Sequence, residues 1–258
     1  MEENNLLVQE EQKKSEAEIK TNEGFTKFEE MFKAGVHYGY SKTKRNPKMS
    51  PYIYGIKNNT EIFDLEKTEE YFAMALGFLK EIAVEKKQIL FVGTKTGIND
   101  IIKKAAEDLN MPYVAGRWLG GTLTNFKVIR GRVNEYEKLK NDIETGNLQR
   151  YTKKERVKIS KDFVKMEKNF KGISLLVSLP AALIIIDPKE EDTAAREAKR
   201  LKIPVVAIMS SDCDPTGIEY PVPANDAAVK SVEYLINRIV KEYKTEKPIE
   251  ESLDENKN

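Results

Sequence analysis

The sequence predicts an α/β protein, a parallel sheet covered by helices on both faces, into which an α-helical hairpin is inserted. Three observations lead there. From about residue 53 onward, short apolar runs bounded by turn residues alternate with amphipathic segments. Two long amphipathic segments, 126–144 and another ending near Phe170, break that alternation. Between the two patterns stands Arg117-Trp118-Leu119-Gly120-Gly121-Thr122-Leu123-Thr124-Asn125, which holds the only tryptophan of the chain.

Taken in order, residues 1–23 are Glu, Lys, Asn and Gln with scattered apolar residues and read as a disordered acidic tail. A short helix follows, with Phe25, Phe28, Met31 and Phe32 at helical spacing, ended by Gly35. Residues 36–49 read as a loop in which cations, aromatics and turn residues interleave. The stretches 52–57 and 60–65 read as strands of a hairpin turning at Asn58-Asn59. Helix 66–84 carries Phe72, Leu76, Leu79 and Ala83 on one face, then come strand 88–92, helix 98–109 and strand 112–115. Beyond the hairpin the pattern gives strand 182–187, helix 190–201, strand 204–209, a short strand near 218–222 and helix 226–243. The α/β domain is thus expected over 24–124 and 172–243, the hairpin over 125–171, and a second acidic tail over 244–258.

At the junction, Gly120-Gly121 allows positive φ and close approach of another chain. Thr124 or Asn125 is placed to cap the next helix. Trp118 admits two readings: packing under the turn, or stacking with Arg117 on the planar parts of a nucleic acid. In the hairpin, Phe126, Ile129, Val133 and Tyr136 face Ile159, Phe163, Met166 and Phe170 across one apolar seam, with a Lys/Arg-rich exterior. That pattern predicts a coiled coil whose first helix is about 28 Å long. The seam leaves open whether the arm projects from the body or folds back along it.

Charge separates along the chain. The net +1 divides into −4 over 1–23, −3 over 242–258 and +8 for the body between. Residues 31–60 contain six basic residues and no acid, and 127–171 contain 14 basic and 7 acidic residues. Two basic zones between acidic tails fit a polyanionic partner. The single cysteine, Cys213, leaves no internal disulfide, and one histidine, His37, leaves no Cys/His metal cluster. The longest apolar run is too short to span a bilayer, and the N-terminus lacks the pattern of a secretory signal, so a soluble intracellular protein is expected.

Two stretches invite an enzymatic reading. Val92-Gly93-Thr94-Lys95-Thr96-Gly97 follows a strand and opens a helix, but its glycine and lysine spacing fits neither the phosphate-binding loop nor the dinucleotide fingerprint. An apolar strand leading to Asp212-Cys213-Asp214-Pro215-Thr216 resembles the first motif of haloacid-dehalogenase-type phosphatases, with Asp212 as nucleophile and Asp214 as acid/base. In that family the motif heads its domain, whereas here 41 residues follow Gly217. A turn held by Asp side chains is the competing reading.

Read together, the segments resemble the bacterial-type ribosomal small-subunit protein two family. They are Ala34-Gly35-Val36-His37-Tyr38-Gly39, Asn46-Pro47-Lys48-Met49, Asp64-Leu65-Glu66-Lys67-Thr68, Ile89 to Lys95 and the junction. Further on come Leu179-Pro180, Ile186-Asp187, Ile203-Pro204-Val205, Asp214-Pro215 and Pro223-Ala224-Asn225-Asp226, all in one order. The resemblance implies a flavodoxin-like three-layer α/β/α domain with a projecting helical hairpin. It implies a cytoplasmic structural constituent of a bacterial-type small ribosomal subunit at the head–body boundary, supporting translation, with no cofactor, metal, small-molecule substrate or membrane. Its partners would be small-subunit ribosomal RNA and neighbouring small-subunit proteins, including the large first one. The residues expected at RNA are Lys42, Lys44, Arg45 and Lys48 in the loop and Arg117, Trp118, Thr122 and Asn125 at the junction. Lys127, Arg130, Arg132, Lys153 and Lys154 would serve along the arm. The chain departs from the family pattern where Tyr40 replaces a second His, over Ser174 to Ser178 and Ala181, and at Ala224 and Ala227.

Overall fold

The computed structural model describes residues 27–150 and 152–246; the acidic tails lie largely outside this range. Helix α1 covers 27–34 and stops where Gly35 takes φ +74°, with Val36 donating back to the Met31 carbonyl. The next residues correct the expected 36–49 loop. Strand β1 (Tyr38–Ser41) pairs antiparallel with β3 (Thr60–Phe63), which also pairs with β2 (Ile53–Lys57), giving the order β1-β3-β2. Only then follow two 3-10 turns, Lys42–Lys44 and Pro47–Tyr52. The aromatic alternation of His37 to Tyr40 has strand character, but a four-residue strand forms only on a partner about 20 residues away. The hairpin turn falls at Asn58 and Asn59 as expected, at φ +49° and +63°.

The main sheet is five-stranded and parallel: β4 (Ile89–Val92), β5 (Tyr113–Val114), β6 (Ala182–Ile186), β7 (Val205–Met209) and β8 (Tyr220–Pro223). Its order is β5-β4-β6-β7-β8, so the chain runs outward from β4 to one edge and then returns to build the other side. Side chains divide by the two-residue period of a strand. Ile89, Phe91, Ile184 and Ile208 join one core with helices α2 (Leu65–Val84), α3 (Asn99–Leu109) and the last helix, α7 (Val229–Glu246). Leu90, Val92, Leu183, Ile185 and Ala207 join the opposite core, under Trp118, Leu123 and helix α6 (Asp192–Leu201). Helix α7 starts three residues later than expected because Asn225 caps the turn through Ala227 and Ala228, while Asp226 is drawn inside.

The small sheet lies across the carboxyl ends of the main one. Tyr40 N donates to Ser211 Oγ at 3.0 Å, Asn46 N to the Ser211 carbonyl at 2.8 Å and Asn225 N to the Val36 carbonyl at 3.0 Å. Met49, Phe63, Met209 and Cys213 form the apolar plug between the two sheets. In open α/β sheets this end, at the strand-order switch, is where ligands bind. Here the chain itself covers it.

Helices α4 (Phe126–Glu144) and α5 (Lys153–Phe170) pack on each other, with the rings of Tyr136 and Phe163 stacked at 5.6 Å. Thr152 and Glu155 form a reciprocal capping box at the start of α5. The base of the pair is fixed to the body, since Phe126, Ile129 and Phe170 pack against the core that holds Val133. Beyond Tyr136 no described residue of α4 is buried, and none of α5 is. The helix pair is therefore packed on the body at its base and solvent-exposed along the rest of its described length.

Candidate nucleic-acid interface

The junction is built around one carboxylate. Glu197 sits on the apolar face of α6 between Ala194 and Ala198, buried with them. It accepts from Trp118 Nε1 at 3.1 Å, Gly121 N at 2.7 Å, Leu123 N at 3.1 Å, and Thr124 N and Oγ1 at 3.0 Å each. Gly121 turns at φ +90° to aim its N–H there. Burial alone would raise the Glu197 pKa, but the Thr124, Gly121, Trp118 and Leu123 donors outweigh it and hold it below the ordinary value. Neither Thr124 nor Asn125 caps α4 with its side chain, as the sequence had led us to expect; Asn125 makes no such bond and Thr124 donates to Glu197. A glutamate on an otherwise apolar helical face was the one legible sign of this arrangement.

The junction residues expected at RNA are thus split. Trp118 is 8% exposed, and Thr122 is 1% exposed with its hydroxyl on the Leu119 carbonyl. Both are enclosed within the junction. Arg117 and Asn125 are exposed. Arg117 lines a hollow together with Val164, Lys168 and Lys171 of the arm base, a grouping that the sequence order conceals.

The loop cations also divide. Arg45 Nη1 lies 3.3 Å from Glu61 Oε1, and the Glu61 carboxylate is fully buried in β3. Lys48 Nζ reaches Asp214 Oδ2 at 2.8 Å and Thr216 Oγ1 at 2.8 Å, and the Lys48 bond foremost holds Asp214 down to about 2. Both residues bind this chain's own acids. Lys42 and Lys44 remain exposed, with the Lys44 ammonium 5.5 Å over the Tyr40 ring. On the arm, Arg130 donates to the Ser174 carbonyl at 2.8 Å and Arg132 pairs with Glu135 at 2.8 Å. Lys127, Lys153 and Lys154 are exposed. The outer face of α5 adds Arg156, Lys161 and Lys165 around Val157 and Val164.

At the carboxyl ends of the strands, Lys95 turns inward. Its Nζ lies 3.1 Å from Asp187 and 3.5 Å from Asp226, and donates to Tyr40 Oη at 3.2 Å. Burial alone would lower this ammonium, but Asp226, Tyr40 and Asp187 together hold it above its usual value. Asp187, Cys213 and Asp226 have ligand atoms within 4.8 Å of one another, and Lys95 supplies the positive charge there. Burial first, then the charges of Asp187, Asp226 and Asp212, pushes the Cys213 thiol up, away from reactivity. Asp212 is tied to Lys189 at 2.7 Å and Asp214 to Lys48 and the Thr216 N–H, so the two carboxylates that the phosphatase reading would use are each engaged within the chain.

Asp226 gives this cluster a pH dependence. Burial, then the neighbouring Asp187, raises its pKa from 3.8 to about 7. A carboxyl whose folded pKa is raised contributes stability that is complete below its unfolded pKa and lost as pH rises through the folded one. Unfolding free energy should therefore fall between pH ~4 and ~7, by on the order of 1–3 kcal/mol. Asp226→Asn should flatten that stretch of the curve in urea melts; an unchanged slope would show that Asp226 stays ionised.

Comparison with known proteins places these features. The profile of the family described as ribosomal protein S2 matches residues 31–245. The chain is 41% identical over 210 residues to a protein named small ribosomal subunit protein uS2 from Desulforapulum autotrophicum, covering 81% of this chain and 75% of that one. It is 40% identical over 211 residues to the protein of the same name from Thermus thermophilus, covering 82% of each. The Coprothermobacter proteolyticus protein of that name is 40% identical over 210 residues, 81% of this chain and 78% of its own. With a profile match running from α1 through α7, and relatives near 40% identity over four-fifths of the chain, this protein belongs to the ribosomal protein S2 family.

Proposed function

We propose that this protein is a structural constituent of a bacterial-type small ribosomal subunit, working in the cytoplasm and binding small-subunit ribosomal RNA at the head–body boundary. The observation that carries the reading is the family match over 31–245. The exposed cations of the loop and arm support it. In this reading the body, 24–124 and 172–243, is a flavodoxin-like α/β/α domain. The 125–171 insertion is a coiled-coil arm, and the acidic tails flank both. The contacts to RNA are Lys42 and Lys44 beside the small sheet, Arg117 and Asn125 at the junction, and Lys127, Lys153 and Lys154 on the arm. Arg45, Lys48, Arg130 and Arg132 direct much of their charge to this chain's own groups, and Trp118 and Thr122 position the junction from inside. Neighbouring small-subunit proteins, the large first one among them, share the surface. The role is non-enzymatic. Among the described residues no helix is long and apolar enough to cross a membrane.

Sedimentation of tagged protein through a sucrose gradient tests the assembly; recovery only at the top, away from particles of small-subunit size, would overturn it. The RNA-facing cations have their own test. Lys42→Gln with Lys44→Gln should weaken binding to a ribosomal RNA fragment and lower the slope of log affinity against log salt by roughly 0.7–0.9 for each phosphate no longer neutralised. Folding stability should stay within about 0.5 kcal/mol of the parent's, since both side chains are exposed. An unaltered salt slope would remove this loop from the interface.

A further inference from the structure

The hollow at the base of the arm is walled by two stretches that the arm separates in the chain. One is the end of the edge strand β5 with the residues that follow it, up to Arg117. The other is the last turn of α5 with the 3-10 turn Lys171–Ile173. Gly172 locks the two together: a side chain there would run into the Tyr113 carbonyl and lie 2.9 Å from the Tyr113 ring, so glycine alone lets the turn press against β5. Phe170 and Ile173 hold the turn from below through the core, and Arg117 is set by its neighbour Trp118, which is tied to Glu197. The walls enclose about 340 Å³, the size of a ligand cleft, roughly 300–1,000 Å³, rather than of an ion site.

Three cations line this space, Arg117 from one wall and Lys168 and Lys171 from the other. Arg117 and Lys168 are exposed, and neither meets an acid among the described residues. Lys171 lies 3.9 Å from Glu167, the one acid of the lining. The dipole at the carboxyl end of α5 accounts for lysines in its last turn. It does not account for Arg117, which the fold brings to the same space from before the arm. Val164 borders both this hollow and the face of α5 that carries Lys161 and Lys165, so the positive charge continues up the arm as a line. A line of cations matches the regularly spaced charges of a nucleic-acid strand. An acidic peptide would instead gain most by adding a strand to the free edge of β5. That edge is closed: the Pro112 and Val114 carbonyls point to β4, the Tyr113 carbonyl points away from it, and Gly172 lies against it.

We infer that this hollow binds the sugar–phosphate backbone of ribosomal RNA, with Arg117 and Lys168 taking one phosphodiester between them, Lys171 beside it and the ribose on Val164. The inference rests on the ribosomal reading above and adds a site to it. Binding of the full chain to small-subunit ribosomal RNA, titrated with salt, tests it through two changes of opposite sign. Arg117→Gln with Lys168→Gln should weaken binding roughly tenfold and lower the slope of log affinity against log salt by roughly 0.7–0.9 for the phosphate no longer neutralised. Both side chains are exposed, so this variant is expected to fold. Glu167→Gln removes the acid from the lining and releases Lys171, so it should tighten binding by roughly two- to fivefold, as for one solvent-screened charge pair. No response in the double variant, or weaker binding in Glu167→Gln, overturns the site; if Lys42→Gln with Lys44→Gln still lowers affinity, the ribosomal reading stands. A parent that binds no ribosomal RNA and stays off particles of small-subunit size brings down both. Loss of polyglutamate binding in the double variant, with RNA binding unchanged, assigns the hollow to an acidic protein and overturns the inference as well.

Discussion

Replacing Glu197 with leucine is expected to remove roughly 4 kcal/mol or more of folding stability, a large part of the 5–15 kcal/mol that holds a typical domain together. The substitution keeps the apolar face of α6 but strands the donors that converge on the carboxylate. Trp118 and Leu123 are buried and gain no water in exchange. Each orphaned buried donor costs about 1–3 kcal/mol, and the half-buried Gly121 N–H adds to that total. Glu197→Gln keeps the shape and one acceptor oxygen but turns an NH2 toward the remaining donors, so it should lose a smaller amount. Trp118, the only tryptophan, reports on its own site, and its fluorescence in a urea melt measures both variants. The pH dependence has a definite sign. A carboxylate with a depressed folded pKa contributes stability present above its unfolded pKa, near ~4.3, and lost as pH falls through the folded value. The parent should therefore weaken below about pH 5 by more than Glu197→Gln does. Equal melts for all three proteins at neutral pH would mean that the junction holds without this carboxylate.

Arg45→Gln is expected to cost about 3–5 kcal/mol, the loss typical of leaving a buried charge without its partner. The residue stands in the loop that composition marks as an RNA contact, yet its guanidinium faces Glu61, whose carboxylate has no exposure at all. Placing Glu61→Gln in the same background removes the stranded charge and should restore a substantial share of the loss. A double-mutant cycle in urea measures this coupling. If Arg45 served only RNA, the single variant would melt within about 0.5 kcal/mol of the parent, as surface substitutions do. The contrast with Lys42 and Lys44 is the point of the experiment: one cation of the loop faces a buried acid of β3, and the other two are exposed to solvent.

What the sequence by itself determined were the features written in local periodicity. The apolar runs of β4, β6 and β7, the amphipathic faces of α2, α3 and α7, the Asn58-Asn59 turn and the paired helices of the arm were all legible in residue spacing and turn chemistry. Periodicity survives without tertiary context, because it is the condition for burying one face of an element. The ordered run of segments from Ala34 to Asp226 likewise carried the family. Charge counting marked two basic zones, but a count along the chain has no third dimension. Only the folded chain brings Glu61 to Arg45, Asp214 to Lys48 and Glu197 to Trp118, the last two across separations of 166 and 79 residues. The first two pairings decide which loop cations are neutralised internally and which face solvent. The tertiary structure also decides that β1 is a strand, since its four residues pair with β3. A buried charge is stable only beside its partner, and the identity of that partner is a property of the tertiary structure.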